Sequence, residues 1–319
     1  MESSRSLRSY LFIMLRGMAM GAADVVPGVS GGTVAFITGI YEELIDSLRR
    51  IDHNAVNCLF RRGPVAAWHH INGNFLLALF SGILFSMLSL AKVITFCLQA
   101  YPIIVWSFFF GLVLASALHM MGKISWKSWQ VPIALLVGAA IALLIAVARP
   151  AELPSDWWVI ALSGALAICA MILPGISGSF ILVLLGIYHV ILQALVELNA
   201  VLLASFVLGC SIGLLLFSHV LAWLLRRFHD VTVALLIGFM FGSLSIIWPW
   251  KQVLVTTLNR HGEQVPVVQK NIFPATYESL TGVDPHLFGA VCALVAGLAL
   301  VLVIELWGRC GAKNCEADQ

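Results

Sequence analysis

The segment Pro27-Gly-Val-Ser-Gly-Gly-Thr-Val-Ala-Phe-Ile-Thr-Gly-Ile-Tyr41 returns later in the chain as Pro174-Gly-Ile-Ser-Gly-Ser-Phe-Ile-Leu-Val-Leu-Leu-Gly-Ile-Tyr188. The offset is 147 residues, and seven of the fifteen positions are identical. Further matches follow at an offset of 131, where Phe75 corresponds to Phe206. Because self-similarity at a fixed offset is typical of repeated structural units, we expect the whole chain to be an internal duplication.

The composition indicates a protein embedded in lipid. The chain has 319 residues, of which 61% are hydrophobic and only 11% are charged. A water-soluble domain cannot hide that much apolar surface. The net charge of +2 and the lack of a basic run give no reason to expect nucleic acid as a partner. The seven cysteines show neither paired nor metal-binding spacing, so we predict no metal and no cofactor.

Six hydrophobic segments are long enough, or nearly so, for the ~20 residues that cross a bilayer as a helix; they are 75–97, 101–121, 131–148, 200–225, 231–248 and 286–307. Two other regions, 7–48 and 157–196, are each interrupted by a copy of the repeated segment. The arm from Thr33 to Leu48 would form about 24 Å of helix, short of the roughly 30 Å hydrocarbon core. We therefore predict two re-entrant helical hairpins, with complete crossing as the alternative.

These elements divide the chain into two repeats, 1–148 and 149–319, each with one hairpin and three spans. Each repeat has an odd number of crossings whether or not its hairpin spans, so the second must be inverted relative to the first. With the N-terminus inside, twelve Lys and Arg residues fall in inner segments and four in outer segments, as the positive-inside rule requires. The prediction is an all-α polytopic membrane protein with two inverted-topology repeats, both termini in the cytoplasm, a cytoplasmic segment 49–72 and an outer loop 249–285.

Each copy of the repeated segment breaks a helix at membrane depth, where an unsatisfied backbone group costs several kcal/mol. We assign Pro27 and Pro174 a structural role, because proline lacks the N–H group that would continue the helix. The next helix then begins with free N–H groups and the positive end of its dipole, which favour an anion. The predicted phosphate-binding turn residues are Gly28, Ser30, Gly31, Gly32, Thr33, Gly175, Ser177, Gly178 and Ser179. Turns that only allow close helix packing are the alternative.

The charged residues within or beside the first hairpin include Arg16, Asp24, Glu42 and Glu43. A charge at the centre of a bilayer costs roughly 2.5–3.5 kcal/mol, so it normally faces a cavity or a partner. We predict that Arg16 binds the phosphate and that Asp24 or Glu42 carries a proton that is coupled to transport. The alternatives are a purely structural Arg16–Asp24 ion pair and a solvated position for Glu42.

The run Arg16-Gly-Met-Ala-Met-Gly-Ala-Ala-Asp-Val-Val-Pro-Gly-Val-Ser-Gly-Gly-Thr33, followed by Gly39-Ile-Tyr-Glu42, closely resembles the first signature of the bacterial PopT family. Leu173-Pro-Gly-Ile-Ser-Gly-Ser179 resembles the second. The family is regarded as undecaprenyl-phosphate translocases. The resemblance spans essentially the whole chain and implies an inner-membrane flippase that returns the polyprenyl-phosphate carrier of cell-wall synthesis to the inner leaflet. It also implies that Arg16, Asp24, Pro27–Thr33 and Pro174–Ser179 form the functional core.

Two other function classes stay open. Polyprenyl-diphosphate phosphatases also resemble this chain in a Pro-Gly-x-Ser motif, but their chemistry needs an Arg just after the Ser and a glutamate cluster. Here Gly31 follows Ser30 and Gly178 follows Ser177, so we predict no catalytic residue and no enzyme activity. The third class is a transporter of a small anion. The expected partners are a polyprenyl-phosphate lipid and the bilayer, and a homodimer is among the arrangements that the sequence permits.

Overall fold

A computed structural model describes residues 5–26, 29–148, 151, 153–258 and 264–317, with side chains except at 254–269 and 305–317. The described part forms sixteen helices and one β-hairpin. Four helices are long and apolar enough to cross a membrane, and there are up to six spans if each of two bent helix pairs counts as one. The fold is therefore that of a polytopic, mainly helical membrane protein.

The first half contains nine helices: α1 (Leu7–Asp24), α2 (Gly31–Ile37), α3 (Tyr41–Arg49), α4 (His53–Arg62), α5 (Pro64–His70), α6 (Gly73–Ser89), α7 (Ala91–Ala100), α8 (Pro102–Met121) and α9 (Gln130–Val147). The predicted hairpin 7–48 is thus α1–α3. Its second arm was wrongly predicted as one helix from Thr33 to Leu48. Gly39 takes the left-handed φ of +73° between α2 and α3, which ends the helix there.

The second half contains seven helices: α10 (Trp157–Ile172), α11 (Gly178–Leu184), α12 (Tyr188–Val196), α13 (Ala200–Arg227), α14 (His229–Ser243), α15 (Pro274–Thr281) and α16 (Leu287–Ala317). The hairpin 157–196 corresponds to α10–α12. Gly186, the counterpart of Gly39, has a φ of +71°. Helices α11 and α12 meet at 103°, the geometry of a broken span or a re-entrant loop. The same break therefore occurs at the same place in both copies.

Equivalent helices pack in equivalent pairs. Helix α1 packs on α6, as α10 packs on α13, and α9 packs on α14, as α16 packs on α8. The last two pairs each join one helix from each half, so a single core contains residues of both. Glycines bring the backbones together, since a Cβ at Gly17 would collide with the Leu79 carbonyl and one at Gly209 with the Ala161 carbonyl. The two halves follow one another in sequence, but their helices interdigitate in the folded protein.

The predicted outer loop 249–285 contains an antiparallel β-hairpin, β1 (Lys251–Leu258) and β2 (Gln264–Asn271), so the all-α prediction is wrong in this part. The first strand contains two Val and two Thr and the second contains three Val, and these branched side chains favour extended backbone. Tryptophans hold its base: the indole Nε1–H of Trp248 donates to the Ile272 carbonyl at 2.9 Å, and that of Trp250 donates to the Pro285 carbonyl at 3.0 Å. The hairpin is thereby tied to the ends of the neighbouring helices.

The segment 49–72, predicted only as a polar cytoplasmic segment, forms the short helices α4 and α5. Asp52 is the N-cap of α4, where its Oδ1 accepts the Ala55 N–H at 3.0 Å. Gly63, with a φ of +88°, separates the two helices. Helix α5 then meets α6 at 72°. This structured insertion has no counterpart in the second half.

Candidate functional site

In the turn between α1 and α2, backbone N–H groups donate hydrogen bonds to residues of the same hairpin. Ser30 is the N-cap of α2, and its Oγ accepts the Gly32 N–H at 3.1 Å. The Gly31 N–H donates to Asp24 Oδ1 at 2.6 Å, and the Thr33 N–H donates to the Ser30 carbonyl at 2.9 Å. The prediction of free N–H groups is therefore wrong for Gly31, Gly32 and Thr33, and the carboxylate of Asp24, seven positions before Gly31, reaches forward to the turn. Pro27 and Gly28 lie outside the described residues.

The second turn, between α10 and α11, is more open. Gly175 takes a φ of +86°, and Ser177 precedes α11 without capping it. Instead the Ser177 and Ser179 hydroxyl groups bond each other at 2.9 Å. Within the described part of the chain, the N–H groups of Gly178 and Ser179 find no acceptor. Ser179 is exposed, whereas Pro174 and Ser177 are buried, so the open amides lie at the edge of the packed core.

The two turns interlock across the boundary between the halves. The Gly175 N–H donates to Thr33 Oγ1 at 2.9 Å, and the Ser30 Oγ–H donates to the Met171 carbonyl at 3.1 Å. Ser30 and Thr33 are both fully buried. A Cβ at Gly32 would lie 2.6 Å from the Ile172 carbonyl oxygen, so only glycine permits this approach. The structure thus brings the predicted turn residues of both copies together.

Arg16 and Asp24 do not form the ion pair that the sequence left open as an alternative. They lie eight residues apart on α1, about 12 Å along the helix. The Asp24 carboxylate is bonded to the Gly31 amide. Arg16 is half-buried and has no ion pair with any described residue. Arg16 is therefore a half-buried cation on the helix that leads into the first turn, and Glu43 is the acidic residue whose charge attracts it from beyond ion-pair distance.

Glu42 lies at the surface, where 67% of its side chain is exposed and its Oε1 is 3.1 Å from His229 Nε2. Its neighbours make similar contacts: Glu43 pairs with Arg5 at 2.8 Å, and Asp46 pairs with Arg226. This exposure favours the alternative of a solvated position for Glu42. The contacts tie α3 to the junction of α13 and α14, over sequence separations that no local pattern reveals.

The comparisons with known proteins agree on one family. The family model described as undecaprenyl phosphate translocase-like matches residues 20–265. A polyprenyl-phosphate transporter from Vibrio cholerae is 49% identical over 301 residues, which are 94% of this chain and 98% of that protein. One from Staphylococcus aureus is 32% identical over 254 residues, which are 74% of this chain and 85% of that protein. No solved structure matches the chain. This chain is thus a member of the undecaprenyl phosphate translocase-like family.

Proposed function

We propose that this protein is a flippase that moves undecaprenyl phosphate from the outer to the inner leaflet of the bacterial cytoplasmic membrane, where the carrier is reused in cell-wall synthesis. Two relatives that carry the name polyprenyl-phosphate transporter support the substrate class. The apolar helices support a membrane location. The protein acts by binding and moving the lipid, without cleaving it.

The observation that carries the proposal is the open second turn, held against the first by the Gly175–Thr33 hydrogen bond. A buried or lipid-facing N–H group without an acceptor costs free energy. A phosphate headgroup has several strong acceptor oxygens and satisfies the amides of Gly178 and Ser179 together. Arg16 holds the same headgroup at another point of its path, since guanidinium matches phosphate geometry.

The inverted arrangement of the two repeats provides a path for the phosphate headgroup across the membrane. With both termini in the cytoplasm, the first hairpin enters from the inner face and the second from the outer face, as the distribution of Lys and Arg supports. In transporters built from inverted repeats, the substrate site lies near the midplane at the repeat interface. The interlocked turns lie at that interface. Rocking of one repeat against the other then exposes the headgroup to each leaflet in turn.

In this mechanism Asp24 couples proton entry to movement of the lipid headgroup. Its carboxylate accepts the Gly31 N–H and therefore lies where a phosphate oxygen would bind in the first turn. Protonation weakens this hydrogen bond and releases the amide to the headgroup, so that proton entry and headgroup transfer between the turns are linked. Glu42, on the exposed surface, serves the contact with His229 and carries no proton along this route.

Reconstitution tests the function. The purified protein is placed in liposomes with labelled polyprenyl phosphate in one leaflet, and leaflet exchange and released inorganic phosphate are measured in the same sample. We expect exchange that depends on the protein, without release. Parallel liposomes hold a polyprenyl diphosphate or are given a labelled small anion. Release of phosphate from the diphosphate would favour an enzyme, and uptake of the anion without lipid exchange would favour the small-anion transporter.

A further inference from the structure

The insertion that only the first half contains builds a basic cleft of about 420 Å³, away from the helix breaks. Its lining combines the end of α3, the start of α4 and the end of α5; the lining residues are Arg49, Arg50, Asp52, Asn54, His69 and His70. Four of these six side chains are basic and one is acidic. Because all six are polar or charged, the cleft suits a charged ligand rather than an apolar one.

The acidic residue that lines the cleft, Asp52, already has hydrogen-bond partners. Asp52 Oδ1 accepts the N–H of Ala55, and Oδ2 accepts the Asn54 Nδ2–H at 2.8 Å. His70 Nε2 lies 3.5 Å from the same carboxylate. Asp52 therefore caps α4 and positions the neighbouring side chains, and its oxygens do not compete for the arginines.

Arg49 has unused donor capacity in the cleft. Its Nε is buried and makes no hydrogen bond to any described residue. It forms an ion pair with Asp46 Oδ1 at 3.6 Å, beyond hydrogen-bond distance, and the same oxygen also pairs with Arg226. A buried guanidinium N–H without an acceptor is costly and is relieved by an anionic ligand.

We propose that this cleft is a second binding site, distinct from the helix breaks, that takes a phosphate group. The guanidinium of Arg49 presents a planar fork that matches phosphate oxygens, and His69 and His70 of α5 add donors to the same cleft. The phosphate belongs either to a lipid headgroup or to free inorganic phosphate, which share this chemistry. Arg50 also lines the neighbouring cavity with Glu42 and Glu43, so the cleft opens towards the end of the first hairpin.

Binding is measured on the full chain in phosphatidylcholine nanodiscs. In one arm inorganic phosphate is titrated and followed by calorimetry, and in the other a fraction of the lipid is phosphatidic acid and the retained lipid is counted by native mass spectrometry. Arg49→Gln removes the buried donor, and His69→Glu adds a negative charge at an exposed position that the fold tolerates. Arg61→Gln removes the same charge from the exposed end of α4, outside the cleft.

We expect Arg49→Gln and His69→Glu to weaken binding roughly tenfold or more, as the loss of a charged hydrogen bond implies, and Arg61→Gln to leave it unchanged. Cleft-dependent binding in the first arm identifies free phosphate as the ligand, and cleft-dependent binding only in the second identifies a lipid headgroup. If the wild type binds neither probe, if both cleft variants bind like the wild type, or if Arg61→Gln weakens binding equally, the proposal is overturned. Lipid exchange does not enter this readout, so a failure of the transport proposal is seen separately.

Discussion

Thr33 and Gly175 are 142 residues apart in sequence, yet the Gly175 N–H donates to Thr33 Oγ1 at 2.9 Å in the buried contact between the two helix breaks. Each residue belongs to a different copy of the duplicated segment. The bond therefore joins the repeats at the point where each interrupts its helix. Because buried backbone donors are almost always paired, this contact determines how the two turns are oriented.

Thr33→Val removes the acceptor while keeping the shape of the side chain. We expect a loss of about 1–3 kcal/mol of stability, since the Gly175 amide is then buried without a partner. Thr38→Val is the matched control, because the Thr38 hydroxyl bonds only to carbonyls of its own helix. Thermal unfolding in detergent compares the two variants. Equal unfolding temperatures would show that the contact between the turns contributes little.

Ser179→Pro removes one open amide of the second turn. Proline is accepted in the first turn of a helix, and Gly178 before it has no Cβ to clash with the ring. Ser179→Ala keeps the N–H and loses only the hydroxyl contact with Ser177. We expect lipid exchange to fall roughly tenfold or more in the proline variant, as the loss of a charge-assisted hydrogen bond implies. The alanine variant should keep most of its exchange, and similar rates in both would remove the amide from the mechanism.

Arg16→Gln removes the half-buried cation of α1. Because a phosphate is bound better by a guanidinium fork than by a point charge, we expect exchange to fall in the order wild type, Arg16→Lys, Arg16→Gln. The fold should persist, since Arg16 has no ion pair to lose in the described structure. Arg8→Gln, on an exposed position of the same helix, is the control. Normal exchange in Arg16→Gln would assign this residue no part in headgroup binding.

Asp24→Asn keeps an oxygen that can accept the Gly31 N–H but cannot change charge. We expect slower exchange and, more tellingly, loss of its dependence on pH, because the titrating carboxylate is gone. Glu42→Gln alters an exposed surface pair and should keep the wild-type pH profile. Exchange rates over a pH series in liposomes give the comparison. If both variants keep the pH dependence of the wild type, proton coupling through these residues is contradicted.

The surroundings of Lys251 lead to a prediction of how the free energy of unfolding changes with pH. At the base of the β-hairpin its Nζ donates to the Ile246 carbonyl and lies 4.3 Å from the centre of the Trp106 ring. Burial lowers the pKa of Lys251 from 10.5 to about 8. Between these values the unfolded chain binds more protons than the folded one, so the free energy of unfolding rises with pH.

Unfolding temperatures measured from about pH 8 to above pH 10.5 test this sign. Lys251→Met should lose the slope, because the titrating group is absent, whereas Lys270→Met on the exposed part of β2 should keep it. A slope of the opposite sign in the wild type would mean that the folded state stabilises the charged amine.

The sequence predicted the positions of the breaks and most of the hydrophobic segments, because repeated motifs and apolar runs are local patterns. The predicted span 75–97 is instead divided between α6, which ends at Ser89, and α7, which begins at Ala91. The break at Gly39 was missed although Gly186 repeats it, since helix length alone was considered. The β-hairpin was missed because its branched residues lie in a loop that hydropathy treats as one segment.

What the sequence did not reveal is how the turns satisfy their own amides. The carboxylate of Asp24 reaches the Gly31 N–H because α1 ends just before the turn, a geometry that depends on the path of the backbone. The pairs Asp46–Arg226 and Glu42–His229 join residues far apart in the chain, so spacing gives no signal for them. Contacts of this kind follow from how the halves interleave.

The most direct measurement is an electron cryomicroscopy structure of the full chain in nanodiscs with polyprenyl phosphate. The phosphate should lie within hydrogen-bond distance of the Gly178 and Ser179 amides, beside the Gly175–Thr33 contact. Phosphate density far from both turns, with those amides facing only acyl chains, would contradict the account.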